Sequence, residues 1–267
     1  PGWAQYLGFA FSPLHNLLGE ECRCAEFLGS LLFELTSANI ALMPNRYPQS
    51  CALARATEVL GERWTLLIIR ELLLGAKRFS DIRERLDGVS ASVLTGRLTR
   101  LEDAGVVRRS VLPPPAASTV YELTEGGRAL EPAVHALVRW GARYLLPLRP
   151  GERMEPDWLR MVLSAYARTT PSPARRYEIH VRAGGTEAVI HVSGGESGTT
   201  VAEAGAPSDV RLAISGEDLL ALMAGRIRPP DAAREGRIEV EGDLSALELF
   251  SELFDAAANG GGGHGDG

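Results

Sequence analysis

Residues 80–112, SDIRERLDGVSASVLTGRLTRLEDAGVVRRSVL, decide the fold of this chain. Residues 80–87 predict a short helix with Ser80 as its N-cap, and Gly88 breaks it. Ser90 caps a second helix over 91–104, in which Leu94, Leu98 and Leu101 recur at i, i+4 and i+7 as one buried stripe. Ser92, Gly96, Thr99 and Asp103 fall opposite that stripe, with Thr95 and Arg100 on its flanks. Gly105 ends the helix as a C-cap glycine. Residues 106–112 and 119–124 alternate and are rich in β-formers, so they predict two strands joined by the short stiff tip PPPAAS.

Working outward, CALARATEVL at 51–60 predicts a helix with Leu53, Ala56 and Leu60 on one face. WTLLIIRELLL at 64–74 is apolar almost all round, which places it centrally in its domain. A long helix is expected over 127–146, with Leu130, Val134, Leu137, Val138, Gly141 and Leu145 along one side. Paired helices, a tight turn, a polar-faced helix and a β-hairpin make a winged helix-turn-helix. In that arrangement the second of the paired helices lies in the major groove and the hairpin follows the backbone. The small hydroxyl side chains Ser90, Ser92, Thr95 and Thr99, with Gly96 keeping the surface low, suit close approach to base edges. Lys77, Arg78, Arg97, Arg100, Arg108 and Arg109 are the candidate phosphate contacts, which hold register without reading sequence.

The charge agrees once it is divided along the chain. The 267 residues are 45% hydrophobic and 23% charged, with a net charge of -6, and that charge taken alone argues against a nucleic-acid binder. Residues 1–42 carry net -3, residues 43–146 carry 15 basic against 11 acidic groups, and residues 147–267 carry 12 against 19. The basic middle and the acidic C-terminal part are expected to serve different partners. With no cation in the tip and an excess of only +4, a shallow salt dependence of DNA binding is expected.

Residues 47–146 resemble the HxlR-type family of bacterial transcription regulators. The motifs are the cysteine-led CALARATEVLGERWTLLIIRELLLG, the turn RFSDIRERLDGVSASVLTGRLTRLEDAGVVRR, and PPPAASTVYELTEGGRALEPAVHALVRWG. The resemblance implies a homodimeric DNA-binding regulator whose interface is built from the first and last helices of the domain, here 51–60 and 127–146. It also implies a near-palindromic double-stranded operator. In some relatives a cysteine at the place of Cys51 senses oxidants. Gln49, Ser50 and Ala52 put no cation beside it, so the reading preferred for Cys51 is a small buried residue of the dimer-forming helix.

LPLRPGERMEPDW marks the domain boundary, with a linker at 147–156. Beyond it the sequence predicts a helix at 157–168, strands at 177–182, 188–193 and 209–214, a helix at 216–226, a short strand in RIEVEG and a last amphipathic helix at about 243–257. DVRLAISGEDLLALMAGRIRPPDAAREGRIEVEGDLSALELF resembles the sterol carrier protein family, which implies a hydrophobic cavity for an apolar small molecule. Trp158, Met161, Val162, Tyr166, Leu219, Leu222, Met223, Leu247, Phe250 and Phe254 are the candidates to line it. For any one of them, a place in a packed core is the plainer reading. The fold class expected is therefore α+β, with a winged helix-turn-helix at 43–146 and a sterol-carrier-like sandwich at 157–258. A glycine-rich flexible tail is expected at 259–267.

The remaining chemistry is sparse. His180 and His191 alternate with apolar neighbours and are expected on the polar face of their strands. Cys22 and Cys24 have no partner pair for zinc, and no phosphate loop, dinucleotide fingerprint or nucleophile elbow is present. No enzymatic activity, cofactor or metal is expected. Without a basic flank before an apolar run or a membrane span, the expected compartment is the cytoplasm. Residues 1–42 precede the first methionine, Met43, and two readings stay open. Either they are upstream sequence joined by a start-site error, or they form a genuine helical extension. The function expected is a ligand-responsive regulator, a repressor being the commoner style. The alternatives are an apolar small-molecule carrier and a thiol-based redox regulator acting through Cys51.

Overall fold

The computed structural model describes residues 47–255 apart from 116 and 244. The expectations for residues 1–42 and for the tail at 259–267 lie outside the described residues. The chain divides into two units between Arg128 and Ala129, ahead of the proline-rich segment 147–156.

In the first unit, α1 spans Ala52–Leu60, α2 Thr65–Leu73, α3 Phe79–Arg85 and α4 Ala91–Asp103. Strands β1 (Val107–Val111) and β2 (Thr119–Leu123) pair antiparallel, with Val107 opposite Leu123. The segment before α3 joins this hairpin: the Lys77 N–H donates to the Tyr121 carbonyl at 3.0 Å and the Tyr121 N–H to the Lys77 carbonyl at 2.8 Å. Ile68, Ile69 and Leu72 of α2, Ile82 of α3, and Leu94, Leu98 and Leu101 of α4 meet in a core shared with Val107, Val120 and Leu123. Removal of that much apolar surface from water holds three short helices that would not persist alone. Gly88 (φ +83°) makes the turn between α3 and α4, a backbone conformation that disfavours any side chain with a Cβ.

Two expectations, for α3 and for 127–146, change here. Helix α3 begins at Phe79 rather than after Ser80. The Arg78 N–H is met by the Asp81 carboxylate at 3.2 Å, so the aspartate at the third helical position caps the end. In α1, the face shared by Leu53 and Ala56 is exposed, Leu53 at 74%, and Ala54 and Glu58 are the buried residues. The helix between 127 and 146 is broken into α5 (Glu125–Arg128), α6 (Glu131–Gly141) and a 3₁₀ turn (Ala142–Tyr144). The physical reason is Pro132. It has no N–H to give to Arg128, and it is tolerated only because it sits in the first turn of α6.

In the second unit, α6 is followed by α7 (Pro156–Tyr166), β3 (Arg176–Ala183), β4 (Thr186–Gly195), β5 (Gly198–Ala202) and β6 (Val210–Ser215). Next come α8 (Gly216–Met223), α9 (Pro229–Arg234), β7 (Ile238–Gly242), α10 (Ala246–Phe250) and a 3₁₀ turn (Ser251–Leu253). The sheet order is β5-β4-β3-β6-β7, with β3 and β6 parallel and the other pairs antiparallel. Strand β5 and helix α9 had no counterpart in the sequence reading. The last helix is far shorter than 243–257.

Alternation sorts the sheet into two faces. Tyr177, Ile179 and Val181 of β3, Ile190 and Val192 of β4, and Val210, Leu212 and Ile214 of β6 are buried under α7, α8 and α10. Tyr177 donates its hydroxyl to the Ala246 carbonyl at 2.7 Å, and burial pushes its pKa up to about 12. The opposite face is a charge ladder. Glu178, Arg211 and Glu241 stand side by side on β3, β6 and β7, with Arg211 bonded to both carboxylates at 2.9 Å. His180 lies between Glu178 (2.8 Å) and Glu187 (2.9 Å), and His191 is in register with Glu178 on the same face, as the alternation predicts. Among the described residues, no helix is long and apolar enough to cross a membrane.

Candidate nucleic-acid interface and ligand cavity

Helix α4 presents to solvent the face that the sequence assigned to it. Ser90, Ser92, Thr95, Gly96 and Thr99 are exposed, and Leu94, Leu98 and Leu101 point inward. Ser90 caps the helix by accepting the Val93 N–H at 3.3 Å, and Gly105 (φ +68°) follows its end. Nothing lies within 4 Å of the place a Cβ would occupy at Gly96, so the middle of this face is flat and open. Hydroxyl groups on a low helical surface can donate to and accept from base edges in a major groove.

The arginines flanking this face are engaged with carboxylates. Arg97 and Arg100, from successive turns of α4, both pair with Glu62 in the loop before α2, and Arg97 also donates to the Arg63 carbonyl at 3.3 Å. Arg108 pairs with Glu122 across the hairpin at 3.1 Å, and Arg109 pairs with Glu102 at 2.9 Å. The Arg109 guanidinium also lies over the Tyr121 ring, 5.4 Å from its centroid. Arg78 donates to the Ser118 hydroxyl at 3.0 Å, and Lys77 is fixed through its backbone to β2. All six candidate phosphate contacts thus surround α4 and the hairpin. Four of them are already partly neutralised, which the spacing of the sequence does not reveal.

Cys51 is exposed in the single chain, and it occupies the N-cap position of α1. The backbone N–H groups of Ala54 and Leu53 hold its thiol below the usual range. The sequence neighbours contain no cation. The stabilising partner is the helix end itself, which the residues adjacent to Cys51 do not announce.

In the second unit, a cavity of about 600 Å³ opens between the end of α8, the turn into α9, α10 and the 3₁₀ turn after it. Leu222, Met223, Phe250 and Phe254 line it, as the sequence proposed, together with Ile227. Phe250 and Phe254 stand edge to face with centroids 5.3 Å apart. The other six candidates are not on its wall. Met161, Tyr166, Leu219 and Leu247 are 5% exposed or less and fill packed interior. Trp158 and Val162 are half-buried on α7, away from the lining. Missed from the sequence were Arg168, Arg228, Glu248, Glu252 and Asp255, which give the cavity a charged rim. Charged residues were set aside when an apolar lining was sought. Their positions beside Met223 and Phe250 in the chain were the available signal.

The HxlR-like helix-turn-helix family matches residues 59–148, and the SCP-2 sterol transfer family matches residues 160–255. The HTH-type transcriptional regulator YvaP of Bacillus subtilis (strain 168) is 39% identical over 93 residues, covering 35% of this chain and 86% of YvaP. The chain belongs to the HxlR-like helix-turn-helix family. A second relative of this HxlR-like protein is the HTH-type transcriptional regulator YodB of the same organism. It is 38% identical over 92 residues, covering 34% of this chain and 82% of YodB. The solved reduced form of YodB matches 38% of this chain and 100% of its own at 35% identity, with a TM-score of 0.33. The HxlR-like match takes in α2 to α6, and the SCP-2 match takes in most of α7, the whole five-stranded sheet and the cavity.

Proposed function

We propose that this protein is a cytoplasmic, dimeric, ligand-responsive transcription regulator with no catalytic step, in which α4 reads a double-stranded operator. The observation that carries the reading is the exposed face of Ser92, Thr95, Gly96 and Thr99 on a capped helix, beside a hairpin bearing Arg108 and Arg109. Base edges take the hydroxyls and phosphates take the arginines. Residues 43–146 carry DNA binding and dimerisation, residues 147–156 the linker, and residues 157–258 the ligand. The exposed Leu53 of α1, and Leu137 and Trp140 of α6, supply apolar surface for a two-fold partner. An apolar effector in the cavity acts by preferring one of two dimer geometries, and release of a repressed operator is the expected response. Helix α6 is the link. It follows α5 directly in the chain and is fastened to α7 by the Arg139 guanidinium, which donates to the Ala165 carbonyl.

The test uses the full chain and the DNA upstream of its own coding region, with native mass spectrometry for co-purified small molecules. Ser92→Ala and Thr95→Ala are expected to change sequence preference, whereas Arg108→Ala weakens all sequences alike. Absence of any sequence-preferring binding, with or without ligand, ends the regulator reading and leaves an apolar-molecule carrier. A second reading is favoured by the exposed thiol of Cys51 at the start of α1, whose lowered pKa suits reaction with oxidants. In that case Cys51→Ser abolishes the response of DNA binding to oxidants and leaves binding by the reduced protein intact.

A further inference from the structure

We propose that the cavity takes an organic cation: an apolar body carrying one positive charge. This rests on the reading of the cavity as a ligand site and adds the charge class of the ligand. Two observations carry it. The floor is apolar and aromatic, with Leu222, Met223, Ile227, Phe250 and Phe254 suited to a bulky hydrocarbon body. The rim then sets the sign. Arg168 lies 3.8 Å from Asp255, so these two offset each other and Arg228 stands against Glu248 and Glu252. The five rim groups sum to one negative charge. Behind them lies a C-terminal part with 12 basic and 19 acidic residues, whose field favours the approach of a cation.

The competing chemistry is an apolar anion such as a carboxylate, for which Arg228 would be the anchor. A pair of probes separates the two, because tetraphenylphosphonium and tetraphenylborate have nearly the same shape and opposite charge. Each is titrated calorimetrically into the full chain in sodium buffer. Tetraphenylphosphonium is expected to bind about tenfold more tightly, the size of effect one net charge produces a few ångströms from a partly screened site. Glu248→Gln with Glu252→Gln turns the rim from net -1 to net +1 and is expected to reverse the order. Met223→Trp, which fills the cavity, is expected to abolish binding of both. Equal or tighter binding of the borate by the unaltered protein overturns the charge assignment while the cavity reading stands. Failure of both probes to bind, or undiminished binding after Met223→Trp, overturns the cavity reading and the assignment with it.

Discussion

Under the proposed phosphate contacts, Glu62 competes with DNA for Arg97 and Arg100, and its removal gives a measurable outcome. Its carboxylate pairs with Arg97 and Arg100, the two guanidinium groups that α4 carries beside its reading face. The Glu62 side chain is 22% exposed and those of Arg97 and Arg100 are 21% and 35% exposed, so the cluster is only partly withdrawn from water. Glu62→Gln keeps the shape and removes the charge. Each additional arginine–phosphate pair steepens the slope of log affinity against log salt by about 0.9. Two freed arginines therefore steepen it by up to about 1.8 per protomer. Between 50 and 200 mM salt that is roughly a tenfold difference per protomer in how far affinity falls. The assay is fluorescence anisotropy on a duplex of arbitrary sequence across that range, with the thermal midpoint measured in parallel. Loss of a partly exposed pair costs about 1 kcal/mol or less in stability, so the midpoint should move little. An unchanged or shallower slope in a variant that remains folded would refute the idea that Glu62 competes with phosphate. It would mean instead that Glu62 positions the arginines for the DNA backbone.

Other outcomes follow from the same structure. Leu98 is 1% exposed on the inner stripe of α4, so Leu98→Ala is expected to destabilise the first unit by about 2–5 kcal/mol in denaturant unfolding. A cost below about 1 kcal/mol would contradict the packing described. His180 lies between Glu178 and Glu187, which raise its pKa above the ordinary 6.5. A raised folded-state pKa stabilises the fold fully below the ordinary value, and that stability is lost as pH rises through the folded one. The gap in stability between the native protein and His180→Gln should therefore shrink as pH increases from about 6.5 upward, and a flat gap would contradict the bridge. The Cys51 thiol should titrate below the ordinary 9.0 when followed by thiolate absorbance, with Cys51→Ser as the blank. Titration at or above the ordinary value would remove the helix-end effect.

The sequence was most informative where one periodicity met one partner. Leu94, Leu98 and Leu101 repeat at helical spacing, so their inward direction and the outward face of Ser92, Gly96 and Thr99 could both be read. In β3 the alternation of Tyr177, Ile179 and Val181 with Glu178 and His180 did the same for the two faces of a sheet. It gave less where the cause lay far along the chain. Arg97 finds Glu62 from another loop, and no local pattern forecasts that pairing. In α1, Leu53 and Ala56 could be placed on one face, but nothing local shows that the inner face goes to Ala54 and to Glu58, whose carboxylate pairs with Arg55 at 2.7 Å. A continuous helix over 127–146 overlooked the missing donor at Pro132. The cavity was half legible. Apolar character could not separate Phe250 and Phe254 on the wall from Leu219 and Leu247 in the packed interior.

The pairing of β3 with β6 in the middle of the sheet has a consequence for how this protein could diversify. Every residue of the cavity wall except Arg168 lies within 222–255, and β3 fastens this stretch through Tyr177, whose hydroxyl donates to the Ala246 carbonyl and whose ring meets Phe250. The seam between β3 and β6 divides the sheet into an early half and a late half. The late half, from Val210 onward, is continuous both in sequence and in space. One recombination event near that seam would replace almost the whole ligand wall at once. The scaffold of β3, β4 and β5, and the α4 helix proposed to read DNA, would be left as they were. The selectivity of the proposed ligand site can thus be exchanged as a single cassette, while the proposed DNA-reading face evolves separately.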